Sequence, residues 1–268
     1  MKVYLKTQFR LSMFKLEHEN PSDFYLSCWQ KNRTSLPFFC VRLLLFLTCV
    51  GILVSSLVIM GGSFSNLGLW FIYMTHWGVL LITITTAFAT VVSCQVYFKG
   101  PIDATFGLPW YTKIYWALFN TTVPMAFFIT IYYYSLLAGY VGEDWQLDPV
   151  LDFFLHGMNS IIMFILLMTS RHPIRLMHFY FVLCIGIIYL AFSGIYYAAG
   201  GLDPLGNHYI YPTLDWKLPG QTAIMAVVAA VSLIVVYLLV VALGAIRDAL
   251  TGNFAMRSET MHVSTEPY

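Results

Sequence analysis

Six continuous apolar runs of about 20 residues or more, at positions 38–60, 68–97, 114–140, 150–169, 176–199 and 221–246, constrain this chain more than any other feature. Each is long enough to cross a hydrocarbon core as a helix, and none alternates with the period of two that a barrel strand requires. Charged residues make up 10% of the chain and hydrophobic ones 59%. Soluble domains carry roughly a quarter charged residues. The expected fold is therefore an all-α polytopic membrane protein with six transmembrane helices. The second and third runs exceed the bilayer's need, which predicts tilt or protrusion.

Charge placement orients the expected bundle. With a cytoplasmic N-terminus, every basic residue of the 14 except Lys217 falls in an inner segment. Such a bias predicts cytoplasmic N- and C-termini, because basic loops are retained on that side. The first ~36 residues are polar to mixed and lack a signal-peptide pattern, so the first span is expected to act as an uncleaved anchor. Cys28, Cys40, Cys49, Cys94 and Cys184 all avoid the outer loops, and no disulfide is expected.

Three regions follow. Residues 1–37 read as a cytoplasmic segment, with Asn20-Pro21-Ser22-Asp23 as a cap before Phe24, Tyr25, Cys28 and Trp29 at helical spacing. That pattern predicts a short interfacial helix. Residues 38–246 form the transmembrane domain, and 247–268 a disordered cytoplasmic tail. Gly61-Gly62-Ser63 predicts a tight first outer turn, and 141–149 an acidic outer loop. The outer loop 200–219 is rich in Pro, Gly and aromatic residues and reads as an ordered cover.

Two polar residues stand out inside the apolar runs. Thr75 lies about seven residues beyond Gly68, roughly 10 Å deep at ~1.5 Å per residue. His156 lies about six residues into the fourth run, roughly 9 Å deep from the same face. A hydroxyl and an imidazole at one level in lipid must find partners, since both have lost water. Asp152 is one turn before His156 on the same helical face, and Asn159 follows on nearly the same stripe. Thr75, Thr83, Thr86 and Thr90 share a flank of the second run, while His76 points about 100° away.

Two readings stay open on these residues. In one, they are helix-packing polar groups that satisfy each other or their own backbones. In the other, His156 is the base that takes the Thr75 proton, Asp152 orients the imidazole, and Asn159 or His76 donates to an oxyanion. No phosphate-binding loop, zinc-protease or nucleophile-elbow motif is present, and no cofactor is expected. His76, His156 and His178 make no expected metal site, because His178 falls near the opposite membrane face. Membrane lipids are the expected partners, and no nucleic acid is.

Three stretches carry a family resemblance: Trp70 to Gly78, Leu155 to Ser160, and Tyr209 to Trp216. With Phe24 to Lys31, they resemble the rolling stone family of invertebrate membrane proteins across nearly the whole chain. That resemblance implies a multi-pass plasma-membrane protein linked to myoblast fusion, with the endoplasmic reticulum as the alternative location. A more distant similarity is to the androgen-induced integral-membrane hydrolases, which cleave fatty acid esters of hydroxy fatty acids. Their catalytic threonine follows a Tyr-Leu pair, as Thr75 follows Tyr73-Met74, and their histidine opens a run matched by His156-Gly157-Met158, with Asn159 in its fourth place. Their aromatic-Val-Tyr-Pro run is matched by Tyr209-Ile210-Tyr211-Pro212. The similarity implies Thr75 and His156 as catalytic residues and an acyl-ester lipid as substrate. Tyr209, Tyr211, Pro212 and Trp216 are then expected at the substrate entrance.

Overall fold

The computed structural model describes residues 8–30, 34–63, 67–138 and 148–252. Six helical spans are long and apolar enough to cross a membrane. In chain order the helices are α1 (Leu36–Ser63), α2 (Met74–Lys99), α3 (Trp110–Tyr132), α4 (Pro149–His156), α5 (Met158–Thr169), α6 (Phe179–Ala198) and α7 (Pro219–Leu250). α4 and α5 together make the fourth span, joined at Gly157. No strand forms among the described residues, where the one extended pairing is an isolated bridge between Ser27 and Ser170.

α3 is the centre of the bundle. It packs against α2, α5, α6 and α7, and buries Trp116, Phe119, Val123 and Ala126 along its length. Apolar surface gains little from leaving lipid for protein, so close packing and polar pairing must hold such helices together. Thr85 and Thr122 supply one such pair, joining α2 to α3 through hydroxyls 2.8 Å apart. Pro124 interrupts the α3 ladder, and the nearby Asn120 amide donates to the Trp116 carbonyl at 2.8 Å. The threonine flank on α2 is not a polar seam: Thr83, Thr86 and Thr90 each donate back to the carbonyl four residues earlier.

The end of the bundle that carries the 100–109 and 170–175 loops is stitched by arginines. Arg42 is fully buried and donates to the Ala89 carbonyl, Ser93 Oγ and the Tyr115 hydroxyl. Arg247 donates to the carbonyls of Leu167 and His172 and pairs with Asp248 at 2.8 Å. The last carbonyls of a helix lack intrahelical donors, and the Arg247 guanidinium satisfies one of those of α5.

Three expectations change here. Residues 21–24 form one 3-10 turn and not an interfacial helix; Phe24 stacks on His172 and Asp23 pairs with Arg171 at 3.0 Å. The segment docks into the bundle because Phe24 fills a buried slot there, with none of its surface exposed. At the other terminus α7 continues to Leu250, so Arg247 and Asp248 belong to the bundle rather than to a tail. The expected turn at Gly61-Gly62-Ser63 is helical, since α1 runs through Ser63. The remaining tail, 253–268, and the acidic loop at 141–147 lie outside the described residues.

Replacing Arg247 by leucine removes the ion pair to Asp248 and the donors to the Leu167 and His172 carbonyls, and is expected to cost about 3 kcal/mol. The check is the thermal unfolding midpoint in detergent. A midpoint equal to that of the unaltered chain would contradict the structural role given to Arg247.

Candidate functional site

The site lies at the opposite end of the bundle and begins with a helix start. Residues Leu67–Ile72 form a 3-10 turn, Tyr73 is extended, and α2 begins only at Met74. Thr75 therefore occupies the first turn of α2, not a point two turns inside it. The count from Gly68 ran through residues 68–72 as α-helix, because an apolar 3-10 turn is indistinguishable from helix by hydropathy. First-turn amides have no intrahelical acceptor. The Met74 amide instead donates to the Tyr211 hydroxyl at 2.9 Å.

His156 arrives from a short, well-capped helix. The Asp148 carboxylate accepts from the amides of Val150 and Leu151, and Pro149 occupies the first turn where its missing donor costs nothing. Eight residues later α4 ends at His156. At that joint the Thr130 hydroxyl donates to the His156 carbonyl, and its oxygen lies 2.7 Å from Ser160 Oγ. Side-chain insertion of this kind is a recognised cause of helix breaks.

These two starts and stops bring the polar groups together. Thr75 Oγ1 lies 3.3 Å from His156 Nε2, and His156 Nδ1 lies 2.9 Å from Asp152 Oδ1. Both oxygens facing Nδ1, the Asp152 carboxylate and backbone carbonyl, are acceptors, so the ring proton is assigned to Nδ1. Nε2 is then free to accept from the Thr75 hydroxyl. The Tyr133 ring lies parallel on the imidazole at 3.5 Å, and its hydroxyl donates to Asp152 Oδ1 at 2.5 Å. Tyr133 opens the single π-turn of α3, Tyr133–Leu137, a distortion frequent at functional sites.

Two expected members are elsewhere. His76 Nδ1 donates to the Trp70 carbonyl at 2.5 Å, its ring stacks on Trp70 at 4.3 Å, and its other nitrogen faces Met60 Sδ. It pins the 67–72 turn to α1 and does not donate into the site. The Asn159 amide donates to the Leu155 carbonyl of its own helical stretch. One residue had more to it than was read from sequence. Tyr211 was expected only at an entrance, yet its hydroxyl also reaches the Thr75 hydroxyl and amide. Burial pushes its phenol up to about 12, with the hydrogen bonds from Met74 and Thr75 acting the other way. It stays protonated and able to donate at physiological pH. The one sequence signal was its place in the Tyr209-Ile210-Tyr211-Pro212 run.

The 200–219 loop is tied down as a roof. Trp216 donates to Ser193 Oγ on α6 and packs where Gly194 leaves room, and Thr213 meets the Tyr132 hydroxyl on α3. Tyr209 packs edge-on against His208, and exposed Pro212 starts a 3-10 turn. Beneath this roof a cavity of about 230 Å³ runs from Thr75 and Tyr211 down between α3, α6 and α7. Among the described residues, no group of three or more metal-ligating side chains could hold an ion.

The fold and site together define an integral membrane protein of six helical spans with a Thr–His–Asp hydrogen-bonded line at the mouth of an apolar cavity. The chain matches the family model described as "Rost: Protein rolling stone" over residues 2–260, and it belongs to that family. It is 33% identical over 210 residues to Protein rolling stone of Drosophila melanogaster, covering 74% of this chain and 73% of the relative. No solved structure matches it.

The assigned tautomer is testable by nitrogen-15 NMR of histidine-labelled protein. His156 is expected to carry its proton on Nδ1, and Asp152→Ala, which leaves only the backbone carbonyl as acceptor there, is expected to weaken that preference. A wild-type His156 protonated on Nε2 alone would contradict the geometry.

Proposed function

We propose that this protein is an intramembrane hydrolase of acyl-ester lipids, with Thr75 as nucleophile and His156 as base. The observation that carries the reading is the unbroken line from Thr75 Oγ1 through His156 to Asp152 Oδ1, set at the polar end of an apolar cavity. A threonine hydroxyl needs a base to become a useful nucleophile, and a neutral imidazole held by a carboxylate is such a base. The distant similarity of Tyr73-Met74-Thr75 and His156-Gly157-Met158 to the androgen-induced hydrolases supports the same residues.

The reaction runs in two halves. Thr75 Oγ1 attacks the ester carbonyl carbon as its proton passes to His156 Nε2, and the carbonyl electron pair moves onto oxygen. The Tyr211 hydroxyl, which accepts from the Met74 amide and keeps its own proton, donates to that oxyanion. The positive end of the α2 dipole favours the same charge. Collapse expels the alcohol, which takes the proton from His156, and leaves an acyl ester on Thr75. Water then attacks with His156 again as base, releasing the carboxylic acid and restoring the hydroxyl. Asp152 holds the imidazole throughout and stabilises its cationic form.

Family membership favours a second reading that sits beside the first: a role of the rolling stone kind in cell–cell fusion of myoblasts, at the plasma membrane. The bias of basic residues supports cytoplasmic termini, which puts the Thr75 site on the extracytoplasmic side.

An alkyl fluorophosphonate is expected to label the wild-type protein, and Thr75→Val and His156→Ala to abolish labelling. Tyr211→Phe is expected to slow it about a hundredfold. Undiminished labelling in both Thr75→Val and His156→Ala would remove the hydrolase reading. In fusion-competent cells lacking the endogenous protein, rescue by wild type but not by Thr75→Val would make fusion depend on the chemistry. Rescue by both would leave fusion to another part of the molecule.

A further inference from the structure

The shape of the cavity says more than that a lipid is the substrate. Its walls on α6 and α7 repeat at helical spacing: Leu183, Gly186, Ile187 and Leu190 on one, and Ala226, Ala229, Ala230 and Leu233 on the other. Beyond Met225 at the roof end, the α7 stripe is three alanines above one leucine, and Gly186 faces that leucine. A Cβ on Gly186 would lie 3.0 Å from a Leu233 methyl. Below, Met125, Ile129, Val182, Leu233 and Tyr237 close into a packed cluster that forms the floor. Above, the same three helices stand apart, because small side chains there leave the space unfilled.

Polar groups occur only at the roof end. Thr75, Tyr132, Tyr133, Tyr189 and Tyr211 are the lining residues that carry hydroxyls, and that of Tyr189 donates to the Ile72 carbonyl, just before α2 begins, at 2.8 Å. The opposite end is wholly apolar, so an occupant needs one polar head and one long apolar body. The side wall is also open. Ile187 on α6 lines the cavity yet is 65% exposed, and Ala230 on α7, which also lines it, is exposed too. Neighbouring Val227, Val231 and Ile224 on α7 present an apolar surface to the surroundings. A passage between α6 and α7 would therefore open into lipid rather than water.

We infer that this cavity is an acyl-chain site: the chain of a lipid ester enters sideways between α6 and α7 at Ile187 and Ala230, its carbonyl coming to rest at Thr75. The inference rests on the proposed hydrolysis and adds where the acyl part lies and by which route it enters. The alcohol part lies toward the 200–219 roof. Chain length is set by Leu233 at the floor and by the alanines that keep the wall open.

The test compares two probes whose phosphorus-bound chain takes the acyl position, a long-chain alkyl fluorophosphonate and ethyl fluorophosphonate. Ala229→Phe fills the passage. It is expected to slow labelling by the long-chain probe at least about tenfold while leaving the ethyl probe within about twofold, as pocket discrimination predicts. Leu233→Ala is expected to favour the longer chain. Should Ala229→Phe fail to give a monodisperse folded protein, Gly186→Ala is measured in its place with the same expectation. Equal slowing of both probes in a folded variant, or no change in either, would overturn the acyl-chain site.

A wild-type protein inert to both probes would instead sink the hydrolysis, and the cavity is then read by binding alone. A long-chain ester with a terminal diazirine is expected to photolabel peptides containing Gly186 and Ala229 in Thr75→Val, and an excess of unlabelled ester to compete it away. Labelling confined to the outer surface, at Ile224 and Val231, would overturn the site independently.

Discussion

In an apolar bundle every polar group must be satisfied from within, and the whole architecture follows from how that demand is met at its two ends. At the basic end arginine donors meet most of it, although the buried Nε of Arg42 has no hydrogen-bond partner. Arg42, Arg175 and Arg247 spend their donors on backbone carbonyls and hydroxyls, and each contact ties one segment to another. At the other end the hydrogen bonds form a directed chain. Asp152 accepts from His156, His156 accepts from Thr75, and Tyr211 accepts from the Met74 amide with its own proton left to give. The first arrangement fixes a structure. The second is the one on which the proposed hydrolysis rests.

The backbone makes that difference possible. Thr75 sits where α2 begins, and His156 sits at the Gly157 joint between α4 and α5. A nucleophile at a helix N-terminus gains from the dipole when negative charge develops, and an imidazole at a helix C-terminus gains when it becomes cationic. The 3-10 turn before Met74, the break at Gly157 and the π-turn from Tyr133 converge on the same few side chains. Regular helices through all three segments would have been the simpler fold.

Much of this was legible beforehand. The six spans follow from run length, and the Asp152–His156 pairing from four-residue spacing on one helix. The approach of Thr75 to His156 came from counting depth, although the count for Thr75 took a 3-10 turn for α-helix. What escaped notice shares one cause: hydropathy and periodicity do not encode a local break or a long-range contact. Gly68 to Ile72 is as apolar as the helix that follows, so the 3-10 turn was invisible. His76 and Asn159 had the right chemistry but take partners close by in sequence, the Trp70 and Leu155 carbonyls. Tyr211 makes its contact across 137 residues, and only the three-dimensional fold brings it to Met74.

Whether the Thr75 hydroxyl becomes acylated is the decisive question. Rapid acid quench of the protein turning over a long-chain lipid ester, followed by peptide mass spectrometry, answers it. The expected result is the mass of the acyl chain on the peptide containing Thr75, absent when His156 is alanine. Turnover with the acyl group on a different residue, or with no adduct at any time point, would contradict a nucleophilic Thr75.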